Sequence, residues 1–223
     1  MKILAFDTSS AHVTAGLFGY GTPLYEEMAR GQAERLLPMC EEVLSAASLT
    51  FQELDAIAVG VGPGNFTGIR IAVSAARGLA LSLSIPAIGV SGFEWLHQGN
   101  GFSGRVAVTL PAPRDQAYAQ VFMGGKAMTE AVLVTPGIRN PALEQPGLLV
   151  AGYRAEEIAK EYNAEADETL WTDRRPHMMA ATLALIASNK IGETGAWTER
   201  PAPLYVRAPD AAPPSDPPPM ILP

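Results

Sequence analysis

A single cysteine, Cys40, stands among 223 residues. No intramolecular disulfide framework can form, and a reducing compartment is expected. Histidine is scarce too: His12, His97 and His177 lie far apart, and no Cys or His cluster has zinc-site spacing. Basic residues are few. Sixteen Lys and Arg against 23 Asp and Glu leave a net charge of −7, and no basic run exceeds Arg174-Arg175. That balance argues against independent nucleic-acid binding, because phosphate contacts need clustered cations. Long apolar runs are missing. The longest stretch without a charged residue or histidine, Gly78–Phe93, is interrupted by Ser82, Ser84 and Pro86 and falls short of the ~18–20 apolar residues of a spanning helix. Near the start only Ile3–Phe6 are apolar between Lys2 and Asp7, too few for the apolar region of a signal peptide. These shortages predict a soluble, acidic, cytoplasmic protein without a membrane partner.

What is present suffices for a core. Hydrophobic residues make up 48% of the chain, and its length fits one large domain or two small lobes. Ile3–Phe6 reads as a strand ending in the turn-forming run Asp7-Thr8-Ser9-Ser10. Val13–Phe18 and Leu24–Ala29 read as strands across the turn Gly19–Pro23. Then the period changes: Leu36, Leu37, Cys40, Val43, Leu44 and Ala47 recur every three or four residues, one face of a helix. Pro38 fits that helix in its first turn, which sets the start near Glu34. Thr50-Phe51-Gln52-Glu53 matches a capping box, and Ala56–Val61 reads as a strand buried on both faces. Gly68–Leu83 is helical, Pro86–Val90 a strand and Gly92–His97 a short helix.

This order predicts an α/β architecture, mixed sheets covered by helices. The second half echoes it, with strands at Val106–Leu110, Ala117–Met123, Ala131–Val134 and Leu148–Ala151. Helices follow at Ala155–Tyr162 and Met178–Lys190, the latter ended by Gly192. The expected division is a first lobe over 1–100, a smaller second lobe over 101–200 and a tail over 201–223. Nine of the 19 prolines fall in that tail, which is expected to be extended on the surface or disordered.

The glycine-rich stretch Gly60-Val61-Gly62-Pro63-Gly64-Asn65-Phe66-Thr67-Gly68-Ile69-Arg70 joins a buried strand to a helix, a place where backbone N–H groups can cradle phosphate. A P-loop would need Lys-Ser/Thr after its last glycine, where Ile69-Arg70 stands. A dinucleotide fingerprint would need glycine at Asn65. Both templates fail, and a tight turn with Thr67 as N-cap is the preferred reading. Along the next helix, Gly68, Ala72, Ala76 and Ala80 form a stripe of small residues flanked by Ile69, Val73 and Leu79. A helix so apolar must be covered on more than one side, by internal packing or by a second protein. Asp7, Thr8 and Ser9 could hold a metal–nucleotide or could simply make the turn. Cys40 reads as a packing residue, and no Ser–His–Asp set can be assembled from spacing.

The element Gly62-Pro63-Gly64-Asn65-Phe66-Thr67-Gly68-Ile69-Arg70, with the Ile3–Ser10 start, resembles the signature of the TsaB (YeaZ) family of tRNA threonylcarbamoyladenosine biosynthesis proteins. Gln32–Pro38 and Pro203-Leu204-Tyr205-Val206-Arg207 resemble further family stretches, whereas Pro111-Ala112-Pro113-Arg114-Asp115 departs from an Asp-Ala-Arg turn common in the family. The resemblance implies a two-lobed, actin-like ATPase (ribonuclease H-like) fold and a non-catalytic scaffold supporting the transferase TsaD. It further implies association with the ATPase TsaE, a homodimer when alone, and tRNA bound only through the complex. The implied interface draws on Leu36, Leu37, Cys40, Val43, Leu44, Gly68, Ile69, Ala72, Val73, Ala76 and Ala80. Asp7, Thr8 and Ser9 would be a vestigial nucleotide site, with no metal and no required cofactor; ATP binding stays open. The alternatives are an actin-like nucleotide hydrolase or kinase, for which the second lobe offers only Gly124-Gly125 beside Lys126, and a glycoprotease-type peptidase.

Overall fold

The computed structural model describes residues 1–98, 102, 104–194 and 199–207. The first sheet contains β1 (Ile3–Asp7), β2 (His12–Leu17), β3 (Tyr20–Glu27), β4 (Ala56–Gly60) and β5 (Ala87–Val90), in the order β3-β2-β1-β4-β5. β1 runs antiparallel to β2 and parallel to β4. Side chains alternate across a strand, and β1 shows the consequence. Leu4 and Phe6 point to one face, packed by α1 (Gln32–Ala46) and α2 (Phe66–Leu83). Ile3 and Ala5 point to the other, packed by α6 (Met179–Thr194). With helices on both faces, every residue of β1, β2 and β4 is buried.

The second sheet contains β6 (Arg105–Pro111), β7 (Ala117–Met123), β8 (Lys126–Ala127), β9 (Val132–Val134), β10 (Leu148–Gly152) and β11 (Glu165–Asp167). Its order is β11-β10-β6-β7-β8, with β9 also pairing β7. β6 runs antiparallel to β7 and parallel to β10, repeating the pattern of β1, β2 and β4. One face packs Ala107, Val121 and Val150 against Ile158 of α4 (Ala155–Lys160). The other packs Val106, Val108 and Phe122 against Phe93 and Leu96 of α3 (Gly92–Gln98) and Leu170 of α5 (Thr169–Thr172). Two sheets of one topology, each covered by helices, form the actin-like (ribonuclease H-like) arrangement.

Several expectations need correction. α6 lies within the 101–200 segment by sequence, yet its Ala180, Leu183, Ala184 and Ala187 pack on β1, β4 and β5. The chain returns to the first lobe, so the cut at residue 100 separates a helix from the sheet it covers. α6 also continues through Gly192 to Thr194. α1 starts at Gln32, which leaves Pro38 inside it. Glu34 and Pro38 are both exposed, so the carbonyl deprived of its N–H partner faces water. Asn65, not Thr67, caps α2: its Oδ1 accepts from the N–H groups of Thr67 and Gly68 at 3.0 and 3.1 Å. The capping box at Thr50 forms, with Glu53 Oε2 2.9 Å from the Thr50 N–H. The short β8, β11 and α5 carried no period strong enough to read.

The tail divides. Its residues 208–223 lie outside those described, whereas 201–207 form a docked strap. Pro201 is buried, Arg77 Nε donates to its carbonyl at 2.7 Å, and Leu204 N–H donates to Val61 O at 2.8 Å. Leu204 packs against the cores of both lobes. The second-lobe turn that departs from the family pattern bends at Arg114 and Asp115, both with positive φ.

Candidate functional site

At the end of β1 the chain turns through Asp7, Thr8 and Ser9, whose exposures are 0%, 0% and 7%. Oδ1 of Asp7 accepts from the Ser9 N–H at 2.8 Å and the Ser9 hydroxyl at 2.9 Å, and His12 Nε2 lies 2.8 Å away. Oδ2 has no partner and lies against Gly60, where a Cβ would come within 1.6 Å of it. The Thr8 hydroxyl donates to Gly68 O at 2.6 Å, and Asn65 N–H donates to Ser9 O at 2.7 Å. Gln32 Nε2 ties the other side, donating to the carbonyls of Ser10 at 2.5 Å and His12 at 2.9 Å. The three residues lie under the glycine loop, with Ser9 bonded to Asp7 and Thr8 to Gly68. The glycines admit another stretch of backbone where a phosphate cradle would hold a ligand. Ser9 and His12 both reach the same oxygen of Asp7, so no serine–histidine relay exists here.

Helices α1 and α2 form the second candidate, and here the sequence reading is corrected. Leu36, Cys40, Val43, Leu44, Ile69, Ala72, Val73 and Ala76 are at most 7% exposed. With buried Gly68 they face the sheet and each other. Ala80 is half-buried. Of the residues assigned to an interface, Leu37 alone is exposed, at 43%. The small-residue stripe exists because α2 must approach its own lobe closely: a Cβ at 68 would lie 1.9 Å from Thr8 O. Burial also pushes the Cys40 thiol up to about 12, assisted by the charge of Glu41. The residue is therefore packing, not a nucleophile.

The outward face of α2 is different. Phe66, Arg70, Ser74, Gly78 and Leu81 are exposed, Leu81 at 81%, with half-buried Ile71, Ala75 and Leu79 beside them. The helix has 18 residues and a mean hydropathy of 1.2, enough in length and composition to cross a membrane. Instead its inner face packs on the first sheet. It leaves an exposed face without an acid, on which Arg70 and Arg77 stand among apolar and small residues. The neighbouring α1 shows Glu34, Glu41 and Glu42 outward with Leu37 and Pro38. Arg35 clamps Glu42 at 2.6 Å and Glu26 of β3 at 2.5 Å, holding both carboxyls below the usual range. Sequence periodicity missed Ser74, Gly78 and Leu81 because it picks out the more apolar stripe, which is the core stripe.

Residues 22–139 match the family model described as "TsaD: tRNA N6-adenosine threonylcarbamoyltransferase". The tRNA threonylcarbamoyladenosine biosynthesis protein TsaB of Escherichia coli is 36% identical over 124 residues, 53% of this chain and 53% of its own length. The chain thus aligns with about half of that relative. An uncharacterised protein of Mycobacterium tuberculosis, Rv3421c, is 33% identical over 95% of this chain and 94% of its own. The structure of YeaZ from Pseudomonas aeruginosa superposes with a TM-score of 0.67 at 27% identity, covering 92% of this chain and 100% of that one. A second structure from Pseudomonas aeruginosa, described as similar to peptidase YEAZ, gives 0.68 at 29% identity over 92% and 99%. With residues 22–139 matched to the TsaD-type model and 92% of its length superposed on YeaZ, the chain belongs to the TsaB (YeaZ) family of tRNA threonylcarbamoyladenosine biosynthesis proteins.

Proposed function

We propose that the chain is a non-catalytic scaffold subunit in threonylcarbamoyladenosine synthesis on tRNA. In this reading it seats a TsaD-type transferase on the outward faces of α1 and α2. The observation that carries the proposal is the outward α2 face, where exposed Phe66, Ser74, Gly78 and Leu81 stand with Arg70 and Arg77 and no acid, on a helix whose inner face is already packed. Such a face is costly to leave in water and suits close helix–helix contact. The closed turn at Asp7 supports a subunit that needs no nucleotide of its own, because Oδ1 and the Thr8 and Ser9 hydroxyls are engaged internally and Oδ2 is buried against Gly60. The same helical face would serve a homodimer when the transferase is absent, with the ATPase TsaE joining the pair. The net charge of −7 favours tRNA held through the transferase, in the cytoplasm.

The test is a pair of variants in a reconstituted reaction with the transferase from the same genome. Ser74→Glu places a charge on the outward face without entering the core. It is expected to abolish co-elution while leaving the melting temperature unchanged. Asp7→Asn keeps the shape of the turn and is expected to change the modification rate by less than about tenfold, 1.4 kcal/mol of barrier. A loss of several orders of magnitude in a folded, assembled Asp7→Asn complex would favour the nucleotide hydrolase or kinase reading instead.

A further inference from the structure

Arg70 leaves the first turn of α2 over the Phe66 ring and beside that of Tyr205. Its guanidinium carbon lies 3.8 Å above the Phe66 ring and 5.9 Å from the Tyr205 ring, and those rings stack at 5.2 Å. Nε donates to the Tyr205 hydroxyl at 2.8 Å, across 135 positions of sequence. No described residue bonds its two terminal nitrogens, and α2 has no acid in its first turn. Arg35, Arg139 and Arg154, by contrast, each pair with a glutamate of this chain. Phe66 and Tyr205 remain 40% and 41% exposed.

We propose that Arg70, fixed by Phe66 and by Tyr205 of the C-terminal strap, reads a carboxylate of the transferase subunit at the edge of the docking face. This rests on the docking reading above and extends the surface from α2 to the strap. An arginine fork binds a carboxylate through two parallel N–H donors, and here its orientation is set before the partner arrives. The rotamer entropy normally lost on docking is already lost in the free chain. An arginine ringed by partly exposed aromatics at the margin of an apolar face also has the composition of an interface hot spot. The same surroundings favour a protein carboxylate over a phosphate: the group must bring apolar surface to cover two rings and the helix face beside them.

The experiment measures affinity for the transferase from the same genome by calorimetry, at about 50 and about 500 mM NaCl. The proteins compared are wild type, Arg70→Gln, Arg70→Lys, Tyr205→Phe and Ser74→Glu, each checked for an unchanged melt. Arg70→Gln is expected to bind at least tenfold more weakly and with less salt dependence. Arg70→Lys, which keeps charge but loses the fork, should recover less than half of that loss on a logarithmic scale. Tyr205→Phe keeps the stacking but frees Nε and should fall about threefold. Wild-type affinity in Arg70→Gln would overturn the inference, and full recovery in Arg70→Lys would overturn the fork. Wild-type transferase affinity in Arg70→Gln with lost tRNA retention by the complex would assign Arg70 to phosphate instead. If Arg70→Gln binds normally while Ser74→Glu does not, the docking reading survives without this contact. If Ser74→Glu also binds normally, the docking face itself is wrong.

Discussion

A Cβ at residue 64 would lie 2.1 Å from the carbonyl oxygen of Ser9, and one at 68 would lie 1.9 Å from that of Thr8. Both neighbours are backbone and cannot swing aside. Gly68→Ala is therefore expected to cost about 2–3 kcal/mol, read as a lower denaturant midpoint in urea unfolding. His97 makes a different residue-scale prediction. It stacks on Phe122 at 5.0 Å, its Nε2 is buried without a partner, and desolvation holds its pKa below the ordinary 6.5. The unfolded chain then binds the proton more readily than the folded one. Stability from this group is full above pH 6.5 and is lost as pH falls toward the depressed folded value. Melting curves below pH 6.5 should fall less steeply in His97→Phe than in wild type, and equal slopes would remove His97 as the cause. Cys40, with its thiol raised to about 12 by burial, should resist iodoacetamide at pH 8 until the protein is unfolded.

Helix α2 separates its two roles by face. Ala72, wholly buried in the first core, and Ser74, exposed, are two residues apart and on opposite sides. Ala72→Glu should unfold the first lobe, because a carboxylate at that position would be desolvated without a partner, at several kcal/mol. Ser74→Glu should leave the melt alone. A folded Ala72→Glu protein would contradict the assignment of faces. Much at this scale was legible in the sequence. The spacing of Leu36, Cys40, Val43 and Leu44 gave α1, and the glycine stretch with its Asn65-Phe66-Thr67 centre marked the start of α2. What the spacing did not reveal was direction: a stripe of alanines looks the same whether it meets the helix's own sheet or another protein. The N-cap moved from Thr67 to Asn65 for a similar reason, since the Asn65 N–H is anchored by Ser9 O, a contact far away in sequence.

Across the whole molecule, two returns of the chain hold the lobes together. α6 crosses back to cover the first sheet, and the strap lays Leu204 against both cores. Truncation before Pro201 removes the Arg77 and Arg70 contacts as well as Leu204. It is expected to lower the melting temperature by about 4–8 °C, corresponding to roughly 2 kcal/mol for a chain of this size. An unchanged melt would mean the strap rests on the surface without holding it. The sequence by itself determined the apolar runs of the buried strands, the capping box at Thr50, the need for glycine between β4 and α2, and the family signature. Each is a local matter, fixed by period, propensity or backbone sterics within a few residues. Only the tertiary structure decided which face of α2 was left outward, that the Asp7 turn was sealed by the glycine loop, and that residues 201–207 would dock as a strap. Those outcomes depend on surfaces brought together from distant parts of the chain: Thr8 against Gly68, Tyr205 against Arg70, and Ala184 in the core beneath the first sheet.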